Sequence, residues 1–340
     1  GMLATYNATA TAFLFAVSPP PGHRLGGTER GRTGIRRWAR RLAAAGTLVG
    51  ALALCVQIGL RIWPPAGTPT LGLTLLDVGQ GEALFLDFPE GRRMLVDAGG
   101  VPGARFDIGA RVVAPFLLHE WVGSLDVLVL THAQADHIGG APAILRGFPV
   151  GEVWSGDTLH SSVAFLWVQE YLRHRRIPLR ILSAGSPAIR WGEATIQVLH
   201  PPPRGGRAAR GAPFTRFRSN DASLVLRLAI GSQAALLTGD VEREGELAML
   251  RRPALLRAQV LKVPHHGSRT SSSSAFLAAV RPEVALVSAG YRNRFNHPHP
   301  EVVERYQALD VRLFRTDLHG AIRVEMTTEG IRVWGQRTTE

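Results

Sequence analysis

One run constrains this chain more than any other: Leu125-Asp-Val-Leu-Val-Leu-Thr-His132-Ala-Gln134-Ala-Asp136-His137-Ile-Gly139-Gly140. A hydrophobic strand ends at Thr131, and His132, Asp136 and His137 follow within six residues. The paired glycines let the backbone turn tightly into a helix. A loop after a buried strand is aimed by rigid structure on both sides, so its side chains can be held to a fixed geometry. Two imidazoles and a carboxylate so placed suit zinc, manganese or iron. A lone histidine here would read as a satisfied core residue; three ligand types at this spacing read as a metal site.

Two other segments end in ligand-type residues. Leu236-Leu-Thr-Gly239-Asp240 closes a strand in a Gly-Asp turn, and Val260-Leu-Lys-Val-Pro-His265-His266-Gly267-Ser268 closes another in a histidine pair. Each alone is weak, because Gly-Asp is usually only a turn. Three strand ends that all terminate this way point to one shared site. The single cysteine, Cys55, excludes an intrachain disulfide and a cysteine-based zinc site.

The net charge of +12 is unevenly placed. Residues 1–70 contain eight arginines and one acid, so the remainder carries only +5. The basic stretch 24–41 precedes Leu42–Leu60, which is almost free of polar residues. Nineteen helical residues span about 28 Å, close to the hydrocarbon thickness of a bilayer. The expected layout is a basic arm at 1–41, a transmembrane or signal-anchor helix at 42–62, a linker at 63–70 and one catalytic domain at 71–338. Arginines before the span place the arm in the cytoplasm and the domain outside it. A buried core helix is the alternative for the apolar segment.

Strand-like runs fall at 71–78, 83–88, 92–97, 125–130, 195–199, 223–230, 233–238, 258–263, 283–288, 311–314, 321–326 and 330–335. Helix-like stretches fall at 108–120, 139–146, 161–175, 242–251, 273–280 and 300–309. Two groups of strands, each with helices, predict a layered α/β fold.

These motifs, taken in order, resemble the metallo-β-lactamase superfamily, and most closely the C-terminal domain of the ComEC/Rec2 family of competence proteins. The residues that carry the resemblance are Leu76-Asp-Val-Gly-Gln-Gly-Glu82-Ala83, Val96-Asp97-Ala-Gly-Gly100, the His132–Gly140 run, Asn220-Asp221-Ala-Ser223-Leu-Val225, Thr238-Gly-Asp240, Lys262–Ser268 and Asn296-His297-Pro-His299-Pro300. The resemblance implies a four-layer αββα sandwich, here expected to follow one apolar membrane-spanning helix. It implies that His132 ligates a first metal, that Asp136, His137 and His265 ligate a second, and that Asp240 bridges them. Asp221 is the candidate for a further ligand, with His200 favoured as a turn residue. Asn220, Ser223, His266 and Ser268 are expected around the metals.

Gln134 departs from the family pattern, which has His or Asp there. A neutral amide is a poor ligand, so the expectation is a divalent ion, zinc or manganese, in one tight site and a second site weak or absent. In the implied chemistry the metal supplies hydroxide at neutral pH. Asp136 accepts a proton, and His297 binds a phosphate oxygen or protonates the leaving group.

The resemblance implies a membrane-anchored, extracytoplasmic nuclease that degrades the non-imported strand during DNA uptake. Its expected partners are single-stranded DNA, the membrane and a competence channel domain. The loop 204–218 carries Arg207, Arg210 and Arg216 among five arginines and no acid, with Phe214 and Phe217 interleaved. That composition suits phosphate contact and base stacking, or equally a solvated loop. Two alternatives stand beside the nuclease: a hydrolase of the same fold with another substrate, and a catalytically weakened DNA-binding module disabled at Gln134.

Overall fold

The computed structural model describes residues 38, 41–42, 44–53, 68–101, 106–156, 163–203 and 220–337. The chain divides into two units, Gly1–Gly67 and Thr68–Glu340. In the first, the described residues 41–42 and 44–53 are helical and largely exposed. No described helix is long and apolar enough to cross a membrane. The rest of the predicted span, 54–62, lies outside the described residues, as do Arg207, Arg210 and Arg216.

The second unit is built from two sheets. One has eight strands: β1 (Leu71–Leu75), β2 (Leu84–Asp87), β3 (Arg93–Val96), β4 (Leu125–Leu130), β5 (Val150–Ser155), β6 (Leu179–Ile181), β14 (Ile322–Met326) and β15 (Ile331–Gly335). Their order is β15-β14-β1-β2-β3-β4-β5-β6. The other has seven: β7 (Ile189–Trp191), β8 (Ala194–His200), β9 (Val225–Ile230), β10 (Gln233–Leu237), β11 (Val260–Lys262), β12 (Val284–Val287) and β13 (Arg312–Arg315), in the order β13-β12-β11-β10-β9-β8-β7. Strands β3 to β6 are mutually parallel, and so are β10 to β13.

Strand periodicity of two explains the layering. Met94 and Val96 of β3 and Val127 and Val129 of β4 face the second sheet, where they meet Leu226, Leu228, Ala235 and Leu237. The alternate residues Leu95, Leu128 and Leu130 face outward onto α1 (Ala114–His119), α3 (Ala141–Gly147) and α4 (Val163–Arg175). Leu236, Leu261 and Ala285 of the second sheet face outward onto α5 (Arg243–Met249), α6 (Ser274–Val280) and α7 (Pro300–Gln307). Three buried clusters thus separate four layers, helices outside and sheets inside. Parallel strands buried on both faces require near-continuous apolar sequence, and β4 and β12 have it.

Three strands departed from the sequence reading. β5, β6 and β7 fall where no strand was expected. β5 carries Gly151 and Glu152 in its first half, and β6 and β7 each hold an arginine in three residues. The period-2 signal is lost there, and pairing with β4 and β8 supplies the missing order.

The fold brings the carboxyl ends of β4, β10, β11 and β12 to one edge. The Leu224 amide donates to Thr131 O at 2.9 Å, and the His265 amide to Gly239 O at 3.3 Å. These bonds tie the loop after β4 to the second sheet, and the loop after β11 to that after β10. Beside them, α2 (Ala135–Ile138) packs on the loop after β3 so closely that a Cβ on Gly140 would collide with the Ala98 carbonyl. The glycine pair is therefore fixed by close approach of two backbones as well as by the turn.

Candidate metal centre

Asp240 follows β10 through the Thr238-Gly239 turn and is fully buried. Its amide is held by the Ser223 hydroxyl at 3.0 Å. Four imidazole Nε2 atoms converge on its Oδ2: His137 at 3.2 Å, His266 at 3.4 Å, His265 at 3.9 Å and His132 at 4.0 Å. Asp136 Oδ2 approaches His266 Nε2 at 3.7 Å.

Each inward nitrogen is set by what holds the other one. Asp97 Oδ2 accepts the Thr131 hydroxyl at 2.6 Å and lies 2.6 Å from His137 Nδ1. His137 therefore donates its Nδ1–H to Asp97 and turns the Nε2 lone pair inward. The Thr131 hydroxyl, having donated to Asp97, offers its lone pairs to His132 Nδ1 at 3.1 Å. His266 Nδ1 lies 2.9 Å from Ser288 O, at the end of β12, and donates to it. Asp97, His265 and His266 all adopt left-handed φ, at 57°, 47° and 54°. Such backbone costs on the order of 1–3 kcal/mol per residue and gathers at functional sites.

Asp136, His137, Asp240 and His266 each offer one ligand atom, and these atoms lie within 4.8 Å of one another. The buried Nε2 atoms of His132, His137 and His266 and both Asp240 oxygens lack a hydrogen-bond partner. Buried polar atoms are ordinarily satisfied, and a divalent cation would satisfy this set. The donor set fits a metal.

The electrostatics of the metal-free cluster agree. Burial opposes charge on His266, but Asp240 and Asp136 outweigh it and raise its pKa to about 9. Burial also opposes charge on His137, and Asp240 and Asp97 lift it well above the ordinary value. Burial works to raise Asp240, yet His137 and His266 hold it well below the usual carboxylate range. Burial and the neighbouring His137 push His132 down to about 3.

The ligand group differs from the expected set at two positions, His265 and Asp221: His266 is the histidine that joins Asp136, His137 and Asp240. His265 stands at the rim, with Nδ1 2.9 Å from Glu242 Oε1 and Nε2 3.4 Å from Asn220 Nδ2. Asp221 turns away: its Oδ1 accepts the Glu242 and Gly245 amides, both at 2.8 Å, at the start of α5. His200 Nε2 lies 2.6 Å from Asp221 O, as a buried residue bracing that turn. Ser268 shapes its own turn with Thr270.

Gln134 caps α2 in extended conformation, and its side-chain amide donates to Asn220 Oδ1. Its side-chain NH₂ is thereby engaged by a neighbouring amide. Asn220 links Gln134, Glu242 and His265.

Sequence reasoning passed over Lys262. Fully buried at the end of β11, it pairs with Glu82, donates to Gly239 O at 2.9 Å and lies 3.5 Å from Asp240 Oδ1. Its ammonium neutralises Glu82 and holds the outer oxygen of Asp240, leaving Oδ2 to the imidazoles. The signal available was a lone lysine in an arginine-rich chain, inside a strand otherwise apolar.

Two outcomes follow from this geometry. Binding a divalent ion needs the Nε2 lone pairs of His137 and His266, whose pKa values the neighbouring carboxylates raise, so binding at pH 7.5 should release protons. The apparent affinity should therefore rise with pH through the His266 titration near 9. Calorimetry in buffers of different ionisation enthalpy measures this, and release near zero would contradict it. Lys262→Met should destabilise the fold by about 3–5 kcal/mol in urea unfolding, because Glu82 is left buried and uncompensated. Adding Glu82→Gln should recover a large part; strict additivity of the two changes would refute the pairing.

Residues 76–291 match the family described as the metallo-beta-lactamase superfamily. The chain is 31% identical over 287 residues to ComE operon protein 3 of Bacillus subtilis, covering 81% of this chain and 35% of that one. It is 31% identical over 313 residues to competence protein ComA of Neisseria gonorrhoeae (86% and 40%), and 30% identical over 293 residues to recombination protein 2 of Haemophilus influenzae (85% and 33%). It therefore spans a third to two fifths of the length of these relatives. The edge-sited cluster on two packed sheets and the matched span agree: the chain belongs to the metallo-β-lactamase superfamily.

Proposed function

We propose that this domain is a metal-dependent phosphodiesterase that cleaves single-stranded DNA, with one tightly held divalent ion. The observation that carries the reading is the convergence of unpartnered His137, His266 and Asp240 atoms beside Asp136. A divalent ion held by Asp136, His137, Asp240 and His266 would supply Lewis acidity and a water of near-neutral pKa.

The protein's own residues do the rest. Burial works to raise Asp136, but His266 and His137 prevail and keep it ionised below the ordinary carboxylate value. It is the least buried member of the cluster, with its side chain 21% exposed. A carboxylate so placed can take a proton from an attacking water. His297 sits 5.6 Å ring to ring from His265 and 6.4 Å from His266, with a buried Nδ1 that lacks a partner. Burial and the nearby imidazoles push its pKa down to about 4, so it is neutral at pH 7. A neutral imidazole donates one N–H, which suits a phosphate oxygen better than delivery of a proton.

The single-ion reading rests on Gln134. With His137 and His266 committed to the first ion, His132 Nε2 and His265 Nε2 are the imidazole nitrogens left near Asp240 Oδ2 among the described residues, at 4.0 and 3.9 Å. Gln134 is engaged with Asn220. The name competence protein, borne by one relative, supports competence, and with it DNA uptake, as the proposed setting. On that reading the domain works outside a membrane, beside a channel, on the strand that is not imported.

The test is incubation of purified protein with a labelled single-stranded oligonucleotide and Mn²⁺ or Zn²⁺, beside metal counting. The expected results are cleavage abolished by chelation, about one tight ion per chain, and two for Gln134→His. Turnover of an ester or lactam with no phosphodiester cleavage would favour the other hydrolase. Metal-independent DNA binding without cleavage would favour the binding module.

A further inference from the structure

The loop 290–297 leads away from the metal cluster, and its construction is unusual for a surface turn. Asn293 holds it shut: its Nδ2 donates to Gly290 O at 3.0 Å and His297 O at 2.6 Å, and its Oδ1 accepts the His297 amide at 2.9 Å. On this clamped frame stand two exposed aromatic rings, Tyr291 at 69% and Phe295 at 51% exposure. Each has an arginine against it. Arg292 Cζ lies 5.2 Å from the Tyr291 ring centre, and Arg294 Cζ lies 4.8 Å from that of Phe295.

The rings are also aligned with the site. Phe295 is nearly parallel to His297, at 25° and 5.8 Å, and His297 to His266, at 22° and 6.4 Å. A stair of near-parallel rings therefore runs from solvent to a cluster imidazole. On the other side of the loop, Tyr291, Arg292 and His297 line a groove of 530 Å³, shared with Gln307 and the paired Arg315 and Asp317. That volume is in the range of small-molecule and nucleotide sites.

Single exposed aromatics are ordinary, but here two stand on one clamped loop, each with an arginine against it, beside the metal cluster. Unstacked bases cover such rings without regard to sequence, and arginines beside them reach the phosphates between bases. Resting on the proposed single-strand cleavage, we infer that Tyr291 and Phe295 form a base-stacking platform that seats the nucleotides flanking the scissile phosphate. Arg292 and Arg294 swing from the ring faces onto the backbone as bases take their place. A base stacked on the outer face of Phe295 lies two ring steps from His297 and three from His266, so the strand that carries it runs toward the cluster. Duplex DNA keeps its bases internal and cannot use the platform, so the loop selects single strands.

The experiment compares kcat/KM of the full chain on a 20-nucleotide single strand, on the same strand with abasic sites flanking the cleavage position, and on the duplex, with Mn²⁺. Wild type should lose about tenfold on the abasic strand, within the range for loss of one stacked base. Phe295→Ala should lose a similar factor on the intact strand and little more on the abasic one, and Phe295→Trp should restore cleavage. Tyr291→Ala should behave likewise with abasic sites on one side only. Equal loss of Phe295→Ala on intact and abasic strands, or no loss on either, would overturn the platform while leaving the nuclease reading in place. Duplex cleaved as well as single strand would also overturn it. No cleavage of any strand by the wild type would overturn both.

Discussion

Everything at this edge depends on one buried carboxylate oxygen. Asp240 Oδ2 has four imidazole nitrogens within 4.0 Å and no hydrogen-bond partner. Such an arrangement is costly without a counter-charge: buried ionised groups must be paired, and buried polar atoms left unpaired cost several kcal/mol in aggregate. Lys262 takes Oδ1 at 3.5 Å, Ser223 takes the amide, and the pairing of two sheets fixes the strand ends. What remains is a need for positive charge on one side of one oxygen, which His137 and His266 meet in the metal-free protein and a divalent ion can take over.

The surrounding chain is arranged to keep that need sharp. Asp97 and Ser288 O hold the outer nitrogens of His137 and His266, so the inner lone pairs cannot rotate away. The left-handed turn at His265-His266 separates two adjacent rings, one into the cluster and one to the rim beside Glu242. A ligand set held by its outer atoms needs little rearrangement when the ion arrives, and this is the sense in which it is preorganised.

The legible parts of the sequence were those in which local spacing decides the outcome. His132, Asp136 and His137 follow one strand end, so their proximity needs no long-range information. The long apolar strands and both helical layers were legible for the same reason. Adjacent histidines are a different problem: either His265 or His266 can face inward, and the choice is made by the Ser288 carbonyl and the Glu242 carboxylate, which are distant in sequence. Asp221 has the letter of a ligand and the position of one, yet two amides at the start of α5 claim its oxygen. β5, β6 and β7 carry charged or glycine residues that mask their period, and only pairing reveals them.

Elemental analysis of two variants at pH 7.5 decides which histidine grips the ion. His266→Ala should lose the tightly bound metal after dialysis, whereas His265→Ala should keep about one ion per chain. Retention by His266→Ala together with loss by His265→Ala would contradict the Asp240-centred cluster described here.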